Sequence, residues 1–262
     1  MTERIKKGLE GVLVSESSLS EIDGDEGELI YRGYSIEDLA QHTSYEEVLH
    51  LLWHGHLPDR EELATFEEAM AAERTLEEHV HRLIEDLAAA DEEPMAATRS
   101  IVSALSASDP DADPDTDPTD REANLRKGRR ITAKMPTALA AFTRLRDGDD
   151  PVEPREELGH AANFLYMLNG DEPDEVLAET FDMALILHAD HGLNASTFSA
   201  MVTASTLADL HASVTSAIGA LSGSLHGGAN QNVMRMLKEV DASEKEPLAW
   251  LTDAIDNDRR IP

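Results

Sequence analysis

Apolar residues recur at the spacing of amphipathic helices along most of the chain after Tyr34. In one such segment Val48, Leu49, Leu51 and Leu52 fall on one face, which a helix would bury. We therefore predict an all-α fold of many helices. The pattern predicts further helices over about 58–88 with a break, 92–106, 120–146, 154–168, 174–190, 195–209, 211–223 and 228–240.

Helix starts are marked by a serine followed three residues later by an acidic residue. Ser35 with Asp38 and Ser44 with Glu47 match this pattern, in which the hydroxyl accepts a hydrogen bond from the third backbone N–H. The sequence therefore predicts helices that begin just after Ser35 and Ser44.

The N-terminal segment has a strand-like pattern instead. The short runs Gly11–Ser17 and Glu28–Tyr31 lie on either side of Asp23–Gly27, which is rich in turn-forming residues. We predict a short β-hairpin that precedes the helices.

Between 106 and 120, aspartate alternates with proline. Both residues oppose regular structure there, and the like charges repel one another, so we expect a solvated loop. It does not match a calcium loop, which needs a central glycine and a closing glutamate.

Charge is the extreme feature of the composition. The chain carries 53 acidic and 22 basic residues, a formal net charge of −31, and it contains no cysteine. So much negative charge argues against nucleic-acid binding, which needs a basic patch, and we expect a halophilic, cytoplasmic protein rather than an ordinary acidic one. The N-terminus lacks the pattern of a signal peptide, and no apolar run approaches the roughly 18 residues of a membrane span.

Two segments carry candidate chemistry. His188, Asp190 and His191 lie at a predicted junction between helices, where Asn194 or Ser196 could cap the second helix. One histidine on a helix is more often structural, but two beside a polar turn favour a functional site.

The second segment places His226 before two glycines and a predicted helix. The partial positive charge at a helix start disfavours imidazolium, so a neutral His226 could donate a hydrogen bond to a developing oxyanion. Alternatively, the glycines only form a tight loop. The other histidines suggest structural roles: His54 and His56 at a helix end, and His79 and His81 solvated among glutamates.

Seven segments resemble citrate synthases of the bacterial and archaeal type, in the same order and over nearly the whole chain. They are GLEGV at 8–12, IDG at 22–24, LIYRGYSI at 29–36, AKMPT at 133–137, HADH at 188–191, NAST at 194–197 and LHGGAN at 225–230.

This resemblance implies an α-helical homodimer with a large domain, here 1–224, and a small mobile domain that begins over 225–262. It implies condensation of acetyl-CoA with oxaloacetate and water to citrate and CoA, without a metal or a tightly bound cofactor. By motif position, His226 would bind the thioester carbonyl and stabilise the enol of acetyl-CoA. His191 would bind oxaloacetate, and His188 would support the site.

The family's second catalytic histidine, its general-base aspartate and its substrate-binding arginines match no residue of this sequence. We therefore expect a C-terminally truncated chain that is inactive alone. Three alternatives stay open: a 2-methylcitrate synthase that uses propionyl-CoA, a metal-dependent hydrolase, and a non-catalytic helical interaction module. The hydrolase would use His188, His191 and His226 as zinc ligands, although the HExxH pattern is absent.

The net charge yields a prediction about salt. Raising KCl from about 0.1 M to about 1 M shortens the Debye length from about 10 Å to about 3 Å and screens the surface repulsion. We expect the melting temperature, followed by circular dichroism, to rise steeply over this range. Full stability at low salt would contradict halophilic adaptation.

Overall fold

A computed structural model describes residues 15–113, 115–223, 226–243 and 245–257. Within these ranges a small sheet precedes a series of helices, so the predicted all-α architecture is confirmed. The strands are β1 Ser20–Asp23, β2 Glu28–Tyr31 and β3 Tyr34–Ser35; the helices are α1 Ile36–His42, α2 Tyr45–His54, α3 Arg60–Ala72, α4 Glu78–Ala89, α5 Pro94–Leu105, α6 Arg121–Asp147, α7 His160–Asn169, α8 Glu175–His188, α9 Ala195–Ser205, α10 Leu210–Leu221, α11 Gly228–Ala242 and α12 Pro247–Asp256. The sequence pattern did not predict α12.

The sheet is an antiparallel meander in the order β1-β2-β3. Its first strand is Ser20–Asp23 rather than the predicted Gly11–Ser17. The reason is the tight turn: Asp23 accepts hydrogen bonds from the backbone N–H groups of Asp25 and Glu26, so the residues just before the turn pair with β2. Of the predicted strand, residues 11–14 lie outside the described part of the chain, as does the 8–12 motif.

Both predicted helix caps are confirmed. The Ser35 hydroxyl accepts a hydrogen bond from the Asp38 backbone N–H at 3.1 Å. Ser44 and Glu47 form a reciprocal capping box, with N–H···O distances of 3.3 Å and 2.7 Å. These caps satisfy backbone donors that the first helical turn leaves without partners.

The segment predicted as one interrupted helix over 58–88 is two helices, α3 and α4. Between them the side chain of Arg74, which is buried, donates hydrogen bonds to the carbonyl oxygens of Arg155 and Leu158 at 2.6 Å and 2.8 Å. A buried guanidinium needs such partners, so these bonds fix the break against the segment before α7.

Three hydrophobic clusters form the core of the described part of the chain. One joins α4, α5 and α6 through residues such as Val80, Ile101 and Phe142. A second joins the sheet to α1, α2 and α8 through Tyr31 and Ile186, and so fixes the end of α8. The third packs α2 and α3 against α6. Among the described residues, no helix combines the length and the apolarity that crossing a membrane requires.

The predicted solvated loop is confirmed for residues 113, 115 and 117–120, which are exposed, but not around Asp109. The Asp109 side chain is 2% exposed and accepts two hydrogen bonds from Arg130 on α6, at 2.8 Å and 2.5 Å. Asp111 accepts from Arg126 and Arg130, and these bonds hold the pKa of its carboxyl well below the usual range. For Asp109 and Asp111 the prediction was wrong, because guanidinium groups distant in sequence compensate their carboxylates.

Two histidines on α4 are also less exposed than predicted. His79 and His81 are half-buried, and His79 Nε2 lies 3.4 Å from the carbonyl oxygen of Ala104. The cause is the packing of α4 against α5 and α6.

The predicted boundary between a large domain (1–224) and a small domain (225–262) falls in the connection between α10 and α11. Residues 224 and 225 lie outside the described part of the chain, and the boundary stays a prediction.

The buried ion pair yields a prediction about stability. Asp109→Asn leaves the Arg130 guanidinium with reduced compensation, and removing one member of a buried pair costs about 3–5 kcal/mol. Urea denaturation at fixed KCl should show this loss of unfolding free energy. The exposed Asp115 in the same loop gives the control, because Asp115→Asn should change stability by less than about 0.5 kcal/mol. Equal effects of the two substitutions would contradict a structural role for the pair.

Candidate active site

A buried tyrosine holds the turn that follows α8 through hydrogen bonds to its backbone. Tyr31, on β2, is 0% exposed; its hydroxyl donates to the Asp190 carbonyl oxygen at 2.7 Å and accepts from the Asp190 N–H at 3.1 Å. Burial raises the pKa of Tyr31, so the hydroxyl stays protonated and keeps its donor role. The backbone of the predicted HADH segment is therefore fixed by the sheet.

The Asp190 side chain shapes the same turn. Its carboxylate accepts hydrogen bonds from the Ser20 hydroxyl and, at 3.0 Å, from the Gly192 N–H. Gly192 has a φ of 67°, which favours glycine, and a Cβ there would lie 3.5 Å from Ile22 Cδ1. Asp190 thus acts as a positioning residue for the histidines on either side.

Those two histidines, His188 and His191, are exposed. His188 closes α8, and its Nδ1 lies 2.7 Å from the carbonyl oxygen of Ala184, so Nδ1–H donates there and Nε2 remains for another partner. His191 follows Asp190 in the anchored turn.

The start of α9 contacts the second candidate segment. Asn194 caps this helix by accepting a hydrogen bond from the Thr197 N–H at 3.0 Å, which settles the choice between Asn194 and Ser196. Ser196 instead places its hydroxyl oxygen 2.7 Å from Nε2 of His226, thirty positions along the chain. This hydrogen bond joins the two predicted segments in space.

His226 lies one residue before Gly227, the N-cap of α11, so its expected place beside a helix start is confirmed. The ring is half-buried, and the backbone N–H donates to the Gly223 carbonyl oxygen at 2.9 Å. A Cβ on Gly227 would lie 2.5 Å from the Leu221 carbonyl oxygen and 2.6 Å from Leu221 Cδ1. This close approach requires glycine at 227. The tight loop that Gly227 allows therefore also places His226 beside the start of α11.

Sequence reasoning missed Tyr31 and Ser20, and it considered Ser196 only as a helix cap. Tyr31 and Ser196 lie inside the quoted motifs, but no periodicity or spacing assigned them their actual partners. Each of the three side chains bonds to a residue 30 or more positions away in the sequence. Only the fold brings these groups together.

One group of residues in the described part of the chain has the spacing of metal ligands: His50, His56 and Glu62. The three histidines of the hydrolase alternative, at 188, 191 and 226, do not form such a group within the described ranges. The candidate active site therefore offers no assembled set of zinc ligands there.

A family model described as "Citrate synthase, C-terminal domain" matches residues 8–262. The chain belongs to the citrate synthase family. The two histidine segments that Ser196 and His226 join are thus parts of a citrate synthase fold, and the resemblance of the sequence to this family is confirmed.

Relatives support the same family. The chain is 66% identical to a citrate synthase of Haloferax volcanii over 261 residues, and 42% identical to a 2-methylcitrate synthase of Mycobacterium tuberculosis over 236 residues. These matches take in 100% and 90% of this chain, but 69% and 58% of the relatives. A solved citrate synthase of Thermoplasma acidophilum, in a ternary complex with carboxymethyl coenzyme A and oxaloacetate, has a TM-score of 0.86 at 29% identity. The match covers 99% of this chain and 66% of that one.

The loop at His226 yields a prediction in which two glycine-to-alanine substitutions change the stability in opposite directions. Gly227→Ala forces a methyl group against the Leu221 backbone, and such overpacking costs about 1–3 kcal/mol. Gly219→Ala, in the last turn of α10, meets only Arg99 Cδ at 3.9 Å and should gain up to about 0.5–1 kcal/mol of helix propensity. Thermal melting at fixed KCl measures both. Equal tolerance of alanine at the two positions would contradict the close approach at Gly227.

Proposed function

We propose that this chain forms part of the active site of a citrate synthase, which condenses acetyl-CoA with oxaloacetate and water to give citrate and CoA. The proposal is supported by family membership and by the name of the Haloferax volcanii relative, which shares 66% identity. It is also supported by the Thermoplasma acidophilum structure, whose ligands are a CoA derivative and oxaloacetate. Acetyl-CoA acts as a substrate, and no tightly bound cofactor is proposed.

The observation that carries the proposal is the hydrogen bond between Ser196 Oγ and His226 Nε2 at 2.7 Å. When the hydroxyl donates, Nε2 is the acceptor, and a neutral imidazole then carries its proton on Nδ1. That Nδ1–H donates to the thioester carbonyl as a base removes a proton from the acetyl methyl group. The growing negative charge on the oxygen is stabilised by a donor already in place.

The positions of the helices favour the same chemistry. Ser196 lies in the first turn of α9, and His226 precedes α11. Each helix start carries a partial positive charge, which favours an enolate oxygen nearby. Both helix starts therefore support the hydrogen bond that His226 donates to this oxygen.

His191 and His188 are assigned to the second substrate. We assign oxaloacetate binding to His191, in the turn that Tyr31 and Asp190 hold. His188 supports this turn from the last residue of α8. The base, the second catalytic histidine and the arginine ligands are assigned to no residue of this sequence, so we propose that the chain alone does not turn over.

The physiological setting follows from charge and family. We propose a halophilic, cytoplasmic homodimer, on the basis of the net charge of −31 and the similarity to a citrate synthase of Haloferax volcanii. No nucleic-acid or membrane partner is proposed, because the acidic surface would repel both phosphate backbones and anionic lipid.

A second candidate function is 2-methylcitrate synthesis, in which propionyl-CoA replaces acetyl-CoA. It is favoured by the 42% identity to a 2-methylcitrate synthase of Mycobacterium tuberculosis. The two acyl groups differ by one methylene, which a pocket discriminates by only about 1–3 kcal/mol. The higher identity to a citrate synthase favours acetyl-CoA.

The test measures release of free CoA at high KCl by this chain joined to the unmatched remainder of the Haloferax volcanii relative. His226→Ala should lower kcat by about 10²–10³, because it removes a donor that acts on the developing oxyanion. Ser196→Ala should lower kcat less, by about tenfold or more, since it only frees the ring to adopt the other tautomer. Asp115→Asn, in an exposed loop, should leave kcat unchanged.

The same assay tests the acyl-CoA preference, the inactivity of the chain alone and the role of His226. A kcat/KM for propionyl-CoA above that for acetyl-CoA would select the second function. Turnover by the 262-residue chain alone, at a rate near that of the joined protein, would contradict the proposed inactivity. Unchanged kcat in His226→Ala would overturn the role of His226.

A further inference from the structure

A second histidine cluster lies outside the candidate active site, where α2 turns into α3. His50 is in α2 and is 6% exposed, His56 is in the turn after Gly55, and Glu62 is in the first turn of α3. Each offers a nitrogen or oxygen atom, and these three atoms lie within 4.8 Å of one another. The mechanism proposed above uses none of them.

The tautomer of His50 suits a metal ligand. Its Nδ1 lies 3.0 Å from the carbonyl oxygen of His56, which can only accept, so Nδ1 carries the proton. A neutral ring protonated at Nδ1 has its lone pair on Nε2. A hydrogen bond from the other ring nitrogen to a carbonyl is how proteins orient metal-binding histidines.

Glu62 is held in place by the start of its own helix. Its Oε2 accepts the Asp59 N–H at 2.9 Å in a capping box, and its Oε1 lies 3.2 Å from His56 Nε2. Zinc bonds of about 2.0–2.1 Å in a tetrahedron place neighbouring ligand atoms about 3.3 Å apart. His56 and Glu62 are therefore already at the spacing of two zinc ligands.

Aromatic rings surround the cluster. The ring of His54 lies 4.4 Å from that of His50. On the inner side, Phe66 packs edge-on against His50 with ring centroids 5.6 Å apart.

We propose that His50, His56 and Glu62 bind one zinc ion, or a similar divalent transition metal, with the fourth position open to solvent. Two imidazoles and one carboxylate suit zinc, whereas calcium and magnesium prefer oxygen ligands alone. His56 and Glu62 are about half exposed, so the ion can enter from solvent. The ion joins the end of α2 to the start of α3 and stabilises the folded state.

The test is a zinc titration of the whole chain by calorimetry at neutral pH, in about 1 M KCl to suppress loose binding to surface carboxylates. Zinc should bind with a stoichiometry of one. At a free concentration about 100-fold above Kd, it should raise the melting temperature by about 5–10 °C. Cobalt bound at the same site should show the intense visible absorption of a tetrahedral ion.

Two substitutions should weaken zinc binding by at least about tenfold: His56→Ala and Glu62→Gln. Both positions are exposed, and glutamine can still close the capping box of α3, so both variants should melt like the parent chain without zinc. His42→Ala, at an exposed helix end of α1, is the matched control and should bind zinc as the parent does.

Three results would overturn the proposal. The first is no binding of zinc by the parent chain. The second is equal zinc affinity of the parent, His56→Ala and Glu62→Gln. The third is a weak cobalt spectrum of octahedral type, as expected for surface carboxylates and water. None of these outcomes depends on catalytic turnover, so they leave the proposed function untouched.

Discussion

The hydrogen bonds between the Tyr31 hydroxyl and the backbone of Asp190 fix the turn between His188 and His191 on which the candidate site depends. Tyr31 is fully buried, so its hydroxyl must find a partner, and the free backbone groups after α8 supply one. The same ring packs in the cluster that joins the sheet to α1, α2 and α8. The small sheet therefore determines where one helix stops, and with it the place of His188 and His191.

Electrostatics constrain the interior and the surface in different ways. With a net charge of −31, most carboxylates repel their neighbours and need screening by salt. A few are instead neutralised by arginines of α6, as Asp109 is by Arg130 and Asp111 is by Arg126 and Arg130. Bidentate contacts of this kind are directional and partly shielded from solvent, so salt weakens them less than it weakens surface repulsion.

Histidine has different hydrogen-bond partners at His226 in the candidate active site and at His50 in the cluster between α2 and α3. In the proposed mechanism the Ser196 hydroxyl donates to Nε2 of His226, which leaves a proton on Nδ1 for a substrate oxygen. At His50, the partner of Nδ1 is a carbonyl, which can only accept, so the lone pair on Nε2 is the one that the proposed metal site uses. The hydrogen-bond partner of one nitrogen determines the chemistry of the other.

The sequence by itself determined the local features: the helical class, the caps at Ser35 and Ser44, and the placement of His226 before a helix start. These depend on periodicity and on contacts within three or four residues, which a single sequence displays directly. Its motifs also identified the family. It failed for the first strand, for α12, and for the loop that contains Asp109.

Only the tertiary structure decided which distant groups meet. The bonds of Tyr31 to Asp190, of Ser196 to His226 and of Arg130 to Asp109 join positions 21 to 159 residues apart. No local pattern encodes such a pairing, because it depends on how helices pack. The sequence supplied the chemical groups of the site, and the packing of the sheet and the helices selected their partners.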